Sequence, residues 1–122
     1  MKINVKRLDH IQICIPTEKE DIARAFYLDL LGGLEIEKPE ALKKNGGFWF
    51  QFGGVQVHIG AEEMTETTSK RHPAFEVENL NEVRKFLEGN NVLTKDDAEI
   101  PNVSLFSFFD PFMNRIEFLE KN

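Results

Sequence analysis

A single cysteine, Cys14, leaves this chain without an intrachain disulfide, which fits a reducing compartment and points to the cytoplasm. No apolar run approaches the roughly 20 residues that span a bilayer. The opening residues Met1-Lys2-Ile3-Asn4 lead straight into patterned sequence. With no apolar h-region and no cleavage site, no signal peptide is expected. Cations are outnumbered, 15 Lys and Arg against 21 Asp and Glu. Phosphate backbones need clustered positive charge, so nucleic acid is not an expected partner. Tryptophan and tyrosine occur once each and histidine three times, whereas phenylalanine occurs 11 times. At 122 residues and 41% hydrophobic, the chain is long enough to bury a core, and it reads as a single domain, 1–122.

Two periods organise it. From His10 to Ile15 apolar and polar residues alternate, with Ile11, Ile13 and Ile15 on one face and His10, Gln12 and Cys14 on the other. This is a half-buried strand that Pro16 ends. Thr17 with Glu20 has the form of a capping box. Behind it, Ile22, Phe26 and Leu30, flanked by Ala23, Tyr27 and Leu31, predict a helix over about 18–31 that Gly32-Gly33 stops. A short strand is expected over 34–38 and a polar loop over 41–46. Gly53-Gly54 then joins the aromatic run 47–52 to the alternating run 55–59 as a hairpin. Residues 61–70 lack periodicity and read as a linker or flap.

The same grammar then restarts. His72 to Val77 predicts a strand, and Asn79 with Glu82 marks a helix start. Leu80, Val83, Phe86 and Leu87 form an apolar stripe that Gly89 ends. Strands follow over 92–94, 103–109 and 115–120, the last two joined by the turn Asp110-Pro111-Phe112-Met113-Asn114. The chain is thus strand, helix and three strands, written twice: module one over about 5–60, module two over about 71–121.

All three histidines fall on this repeat. His10 and His72 stand in the first strand of each copy, 72 − 10 = 62 positions apart. His58 and Glu117 stand in the last strands, 117 − 58 = 59 apart. Each lies on the face opposite the apolar one, in company with Gln12, Gln56, Glu76 and Arg115. In a dry core that polar face would be costly, but it suits a wet cavity around a cation. Imidazole and carboxylate suit divalent Zn, Ni, Co, Mn or Fe.

Leu8-Asp9-His10-Ile11, Ala25-Phe26-Tyr27-Leu28-Asp29-Leu30-Leu31-Gly32, His72-Pro73-Ala74-Phe75-Glu76-Val77 and the run from Phe109 to Phe118 together resemble the vicinal oxygen chelate superfamily. That superfamily holds glyoxalase I, extradiol dioxygenases, fosfomycin-resistance enzymes and bleomycin-resistance proteins. The resemblance implies an α+β fold of two tandem βαβββ modules, whose mixed sheets curve into a cup. It implies a divalent metal ion on His10, His58, His72 and Glu117, and a homodimer. A small substrate would chelate that ion through vicinal oxygens, with Glu117 also able to act as general base. Gln12, Trp49, Gln56, Glu76 and Arg115 would orient substrate or brace the ligands. Lyase or isomerase chemistry is favoured, because a fourth protein ligand removes a position that oxygen chemistry uses. Alternatives are a ring-cleaving dioxygenase, a metal-free drug-binding protein of the bleomycin-resistance kind, and a thiol transferase for an electrophilic antibiotic. Glyoxalase I enzymes often carry a carboxylate at the position of His58, and the thiol-transferring enzymes usually use only the other three ligands. Where the family often has Gly in the Asp-Pro turn, this chain has Met113, which is strained if the turn keeps a positive φ. Cys14 reads as a buried, inert thiol.

Overall fold

Strand alternation and two short helices build two four-stranded sheets. The computed structural model describes residues 1–64 and 69–122, so residues 65–68 of the expected linker lie outside the described residues. The chain divides into two compact units, Met1–Thr65 and Glu66–Asn122. Among the described residues, no helix is long and apolar enough to cross a membrane.

In the first unit the strands are β1 (His10–Ile15), β2 (Leu34–Ile36), β3 (Phe48–Phe52) and β4 (Val55–Ala61), in the order β1-β4-β3-β2. β1 and β4 run parallel and the other neighbours antiparallel. A parallel pair needs a long crossover, which here contains the helix and the two middle strands. Ile13, Ile15, Phe48, Phe50, Val57 and Ile59 are buried on one face with Ala23, Phe26 and Tyr27 of the helical segment. Full burial of each large side chain stabilises by roughly 1.5–3 kcal/mol.

That segment differs from the expected single helix. Helix α1 covers Glu20–Arg24, and Ala25–Leu30 widens into a π-helical turn. The widening, seen in the Leu31 N–H donating to the Phe26 carbonyl at 3.0 Å, rotates the buried face. Ala23, Phe26 and Tyr27 turn inward, whereas Ile22, expected in the stripe, is 46% exposed. The capping box does not form either. Lys19, not Thr17, precedes the first turn, and no side chain caps it. Glu20 instead accepts the Gly47 N–H at 3.0 Å. Gly47 has φ +77, and a Cβ there would strike the Ile59 carbonyl oxygen, so this close approach needs glycine. The expected loop at 41–46 is a 3₁₀ segment, Glu40–Asn45.

The second unit repeats the topology. Its strands are β5 (Ala74–Glu76), β6 (Thr94–Asp96), β7 (Val103–Phe109) and β8 (Arg115–Lys121), in the order β5-β8-β7-β6 with β5 parallel to β8. Helix α2 covers Leu80–Gly89. Leu80, Leu87, Phe106, Phe108, Ile116 and Phe118 are buried, but Phe86 is 53% exposed. Asn79 adopts a left-handed conformation and makes no side-chain cap. The first amides of α2 are held from across the sheet, where Glu120 accepts from Asn79 N–H at 3.0 Å and from Leu80 N–H at 3.1 Å. A carboxylate there also suits the helix dipole. β6 lies two residues later than expected. In the final turn Met113 does hold a positive φ, +71. Buried Asp110 supports that turn by accepting from the Phe112 and Asn114 backbone N–H groups, both at 2.8 Å.

The hydrogen bond from Gly47 holds the Glu20 carboxyl below the ordinary carboxylate value. Its folded-state value therefore lies below its unfolded one. The contribution is full above that ordinary value, roughly 4.3, and fades as pH falls through the folded value. We expect Glu20→Ala to cost about 1 kcal/mol at neutral pH. Its stability should also fall less steeply than the wild type's in the carboxylate range, as urea melts between pH 3 and 7 would record.

Candidate metal centre

Parallel pairing of β1 with β4 sets His10 opposite Gln56 and Gln12 opposite His58, and β3 adds Trp49 on the other side of His58. These five residues share one sheet face because side chains alternate. The three rings stack. His58 lies 3.8 Å from Trp49, with planes 2° apart, and 4.0 Å from His10, with planes 15° apart. His58 is buried at 6% exposure, and its Nε2 is paired with Gln56 Oε1 at 3.2 Å. Burial, then repulsion from His10, lowers its pKa, so its ring stays neutral further into the acid range than an ordinary histidine. Gln12 lies over Gly60, where a Cβ would come within 2.5 Å of its Nε2.

His10 is held differently. Its Nδ1 meets the Asp9 carboxylate at 2.8 Å, and that hydrogen bond lowers the Asp9 pKa. Nε2 is left as the lone-pair nitrogen. A carboxylate behind a histidine in this way fixes the tautomer and ring direction of a metal ligand. Asp9 was not singled out by the spacing of the repeat, although an Asp-His pair at a strand start is a readable signal.

In the second unit, His72 stands two residues before β5 rather than within it, beside the Pro73 carbonyl that accepts the Glu117 N–H at 3.0 Å. Its Nδ1 pairs with the Lys70 carbonyl at 2.9 Å, which again leaves Nε2. That nitrogen lies 3.9 Å from Glu117 Oε1. The gap is too long for a hydrogen bond, yet one ion with bonds of about 2.1 Å can touch both atoms. Glu117 is 13% exposed at its side chain, and its register partners are Ala74 on β5 and Ser107 on β7.

Each unit thus brings together a pair of the expected ligands, His10 with His58 and His72 with Glu117. Among the described residues, no three His, Cys, Asp or Glu side chains gather into a metal-holding group. His10 and His58 meet face to face, with their rings in near-parallel planes. Imidazole and carboxylate, the donors that each pair offers, suit a divalent cation.

Of the other expected residues, Gln12, Gln56 and Trp49 border the two histidines of the first unit. Arg115 shares the Glu117 face. Glu76 is exposed at the end of β5. Arg115 Nη2 donates to Asp97 Oδ1 at 3.0 Å, and Ser107 Oγ donates to the same oxygen at 3.2 Å. Asp97 and Ser107 carried no sequence signal, because the contact depends on how the segment after β6 folds back. Cys14 is half-buried, and its thiol pKa is raised, first by burial and next by Glu62, so it stays an unreactive thiol.

Against known proteins, no family model and no curated protein matches the sequence. Solved structures do match. A glyoxalase family protein from Bacillus anthracis is 41% identical, with a TM-score of 0.93 over 100% of both chains. A glyoxalase family protein from Enterococcus faecalis is 22% identical, with a TM-score of 0.72 over 94% of this chain and 98% of its own. A single-substitution variant of the fosfomycin resistance protein FosX from Listeria monocytogenes, in complex with Mn(II) and dihydroxypropylphosphonic acid, is 17% identical. It has a TM-score of 0.81 over 98% of this chain and 95% of its own.

In a pH titration followed by ring-nitrogen NMR, we expect the His58 midpoint to fall below the ordinary value of roughly 6.5. It should rise toward that value in His10→Ala, which removes the neighbouring positive charge.

Proposed function

Since the chain belongs to the glyoxalase family, within the vicinal oxygen chelate superfamily, we propose that it is a metal-dependent lyase or isomerase acting on a small substrate with neighbouring oxygens. The observation that carries this reading is the shared anchoring of two histidines. His10 is held through Nδ1 by Asp9 and His72 through Nδ1 by the Lys70 carbonyl, so each presents Nε2. His10, His72 and Glu117 would hold the ion, and His58 would complete the set once its ring leaves the stack. FosX is a structure with Mn(II) bound, in keeping with a divalent ion of the Zn, Ni, Co, Mn or Fe group here.

When bound, the ion supplies Lewis-acid stabilisation of negative charge on the substrate's two oxygens. The rest falls to the chain's own side chains. Glu117, partly shielded from water, would take a proton from the carbon bearing one of those oxygens and return it to the adjacent carbon, which bears the other. Arg115 donates hydrogen bonds toward the oxygen that gains charge. Asp9 keeps the His10 ring in one tautomer and one direction. Gln12, Gln56 and Trp49 bound the space beside His58, and Trp49 offers an apolar wall.

Metal analysis of protein purified without chelators tests this directly. We expect about one divalent ion per chain, lost in His10→Ala and in Glu117→Gln while circular dichroism shows the fold intact. Asp9→Asn should weaken metal affinity by roughly 10–100-fold. A chain that neither retains nor can be restored with a metal ion would sink the reading.

A further inference from the structure

Arg115 stands two residues before Glu117 on β8, so both belong to one face of the sheet. Asp97 binds this face together, taking Arg115 Nη2 at 3.0 Å and Ser107 Oγ at 3.2 Å on one oxygen. Ser107 is itself the register partner of Glu117. The Asp97 side chain is 12% exposed and that of Arg115 26%. The second Asp97 oxygen, Oδ2, is buried with no hydrogen-bond partner among the described residues.

An unsatisfied buried carboxylate oxygen is costly. The two hydrogen bonds alone do not require it, because an asparagine carbonyl at this position would accept from the same two donors. What aspartate adds is its charge. It neutralises the Arg115 guanidinium, which belongs to the Glu117 face, and uses one of its five N–H groups, so Arg115 remains a directional donor without being an uncompensated cation. Counting Asp97, Arg115 and Glu117 as ionised, this patch carries one net negative charge. A dianion brought to Arg115 would meet two carboxylates.

We propose that Asp97 sets the charge of the substrate, admitting neutral or singly charged vicinal-oxygen compounds such as hydroxy-ketones and turning away phosphate- and phosphonate-like dianions. The vicinal oxygens in this inference rest on the metal-dependent reading above, but the charge selection rests on Asp97 and Arg115 alone.

The test is calorimetric titration of inorganic phosphate and methylphosphonate, at low salt and about pH 8, where phosphate is mostly dianionic. It uses the full chain, Mn(II)-loaded and metal-free in parallel, as wild type, Asp97→Asn and Asp97→Asn/Arg115→Gln. Asp97→Asn is expected to bind both anions at least tenfold more tightly than the wild type in both metal states, and the double variant to return to the wild-type level. Asp97→Ser, which removes the charge without burying an amide, replaces Asp97→Asn if that chain fails to fold. Unchanged anion affinity in a folded charge-removing variant overturns the proposal, as does a gain that survives the loss of Arg115. If Mn(II) does not bind but the gain persists in the metal-free chain, the metal reading fails and the role of Asp97 stands.

Discussion

Parallel pairing of the first strand with the last, made once in each unit, is the constraint on which the rest of this structure depends. A strand has two faces and a period of two. Once β1 is registered on β4 and β5 on β8, the side chain of every residue in those strands is assigned to the buried face or to the polar one. A one-residue slip would drive Ile13, Ile15, Val57 and Ile59 to the polar side and His58 into the aromatic core. The phenylalanines make that slip expensive, since Phe48 and Phe50 in one unit and Phe106 and Phe108 in the other are nearly fully buried. The candidate ligands are therefore positioned by residues that have no part in the chemistry.

Polar groups close to the site are mostly tied to something else first. His10 is held by Asp9, His72 by the Lys70 carbonyl and Arg115 by Asp97. Asp9 and Lys70 are sequence neighbours of the histidines they hold, and Asp97 directly follows β6, so each contact removes rotational freedom that binding would otherwise have to remove. His58 is the exception in kind. It is held by flat stacking against Trp49 and His10, in addition to the Gln56 contact at its Nε2. The same neighbours explain why it stays neutral, through burial and the adjacent imidazole.

Carboxylates show how tertiary structure reassigns local signals. Glu20 sits where a capping box would use it, yet it binds the Gly47 amide 27 residues away in sequence. Glu82 lies at the expected position behind Asn79, but Glu120 on the last strand holds the start of α2. In both cases a distant partner outcompetes the local one, because the sheet brings a backbone N–H or a carboxylate within reach at no further entropic cost. The π-helical turn after α1 has a similar origin. Sequence period alone puts Ile22 in the stripe, whereas the wider turn accompanies Tyr27 packing on Phe50 and Phe26 packing edge-on against Tyr27.

By itself, the sequence determined whatever follows from alternation and repetition. This covers the doubled strand–helix–three-strand order, the α+β class, the burial of Ile13, Ile15, Ile59, Ile116 and most of the phenylalanines, and the polar strand faces that carry His10, Gln12, Gln56 and His58 in one unit and Arg115 and Glu117 in the other. Those features are legible because a period-2 pattern needs no knowledge of what lies opposite. Only the tertiary structure decided which nitrogen each histidine presents, that His58 stacks on Trp49, and that Asp97 takes hold of Arg115. These depend on distances between segments far apart in the chain, or on the path of a loop, and neither leaves a periodic trace. The strand register carried the histidines to the right face, and the contacts across it decided which way they look.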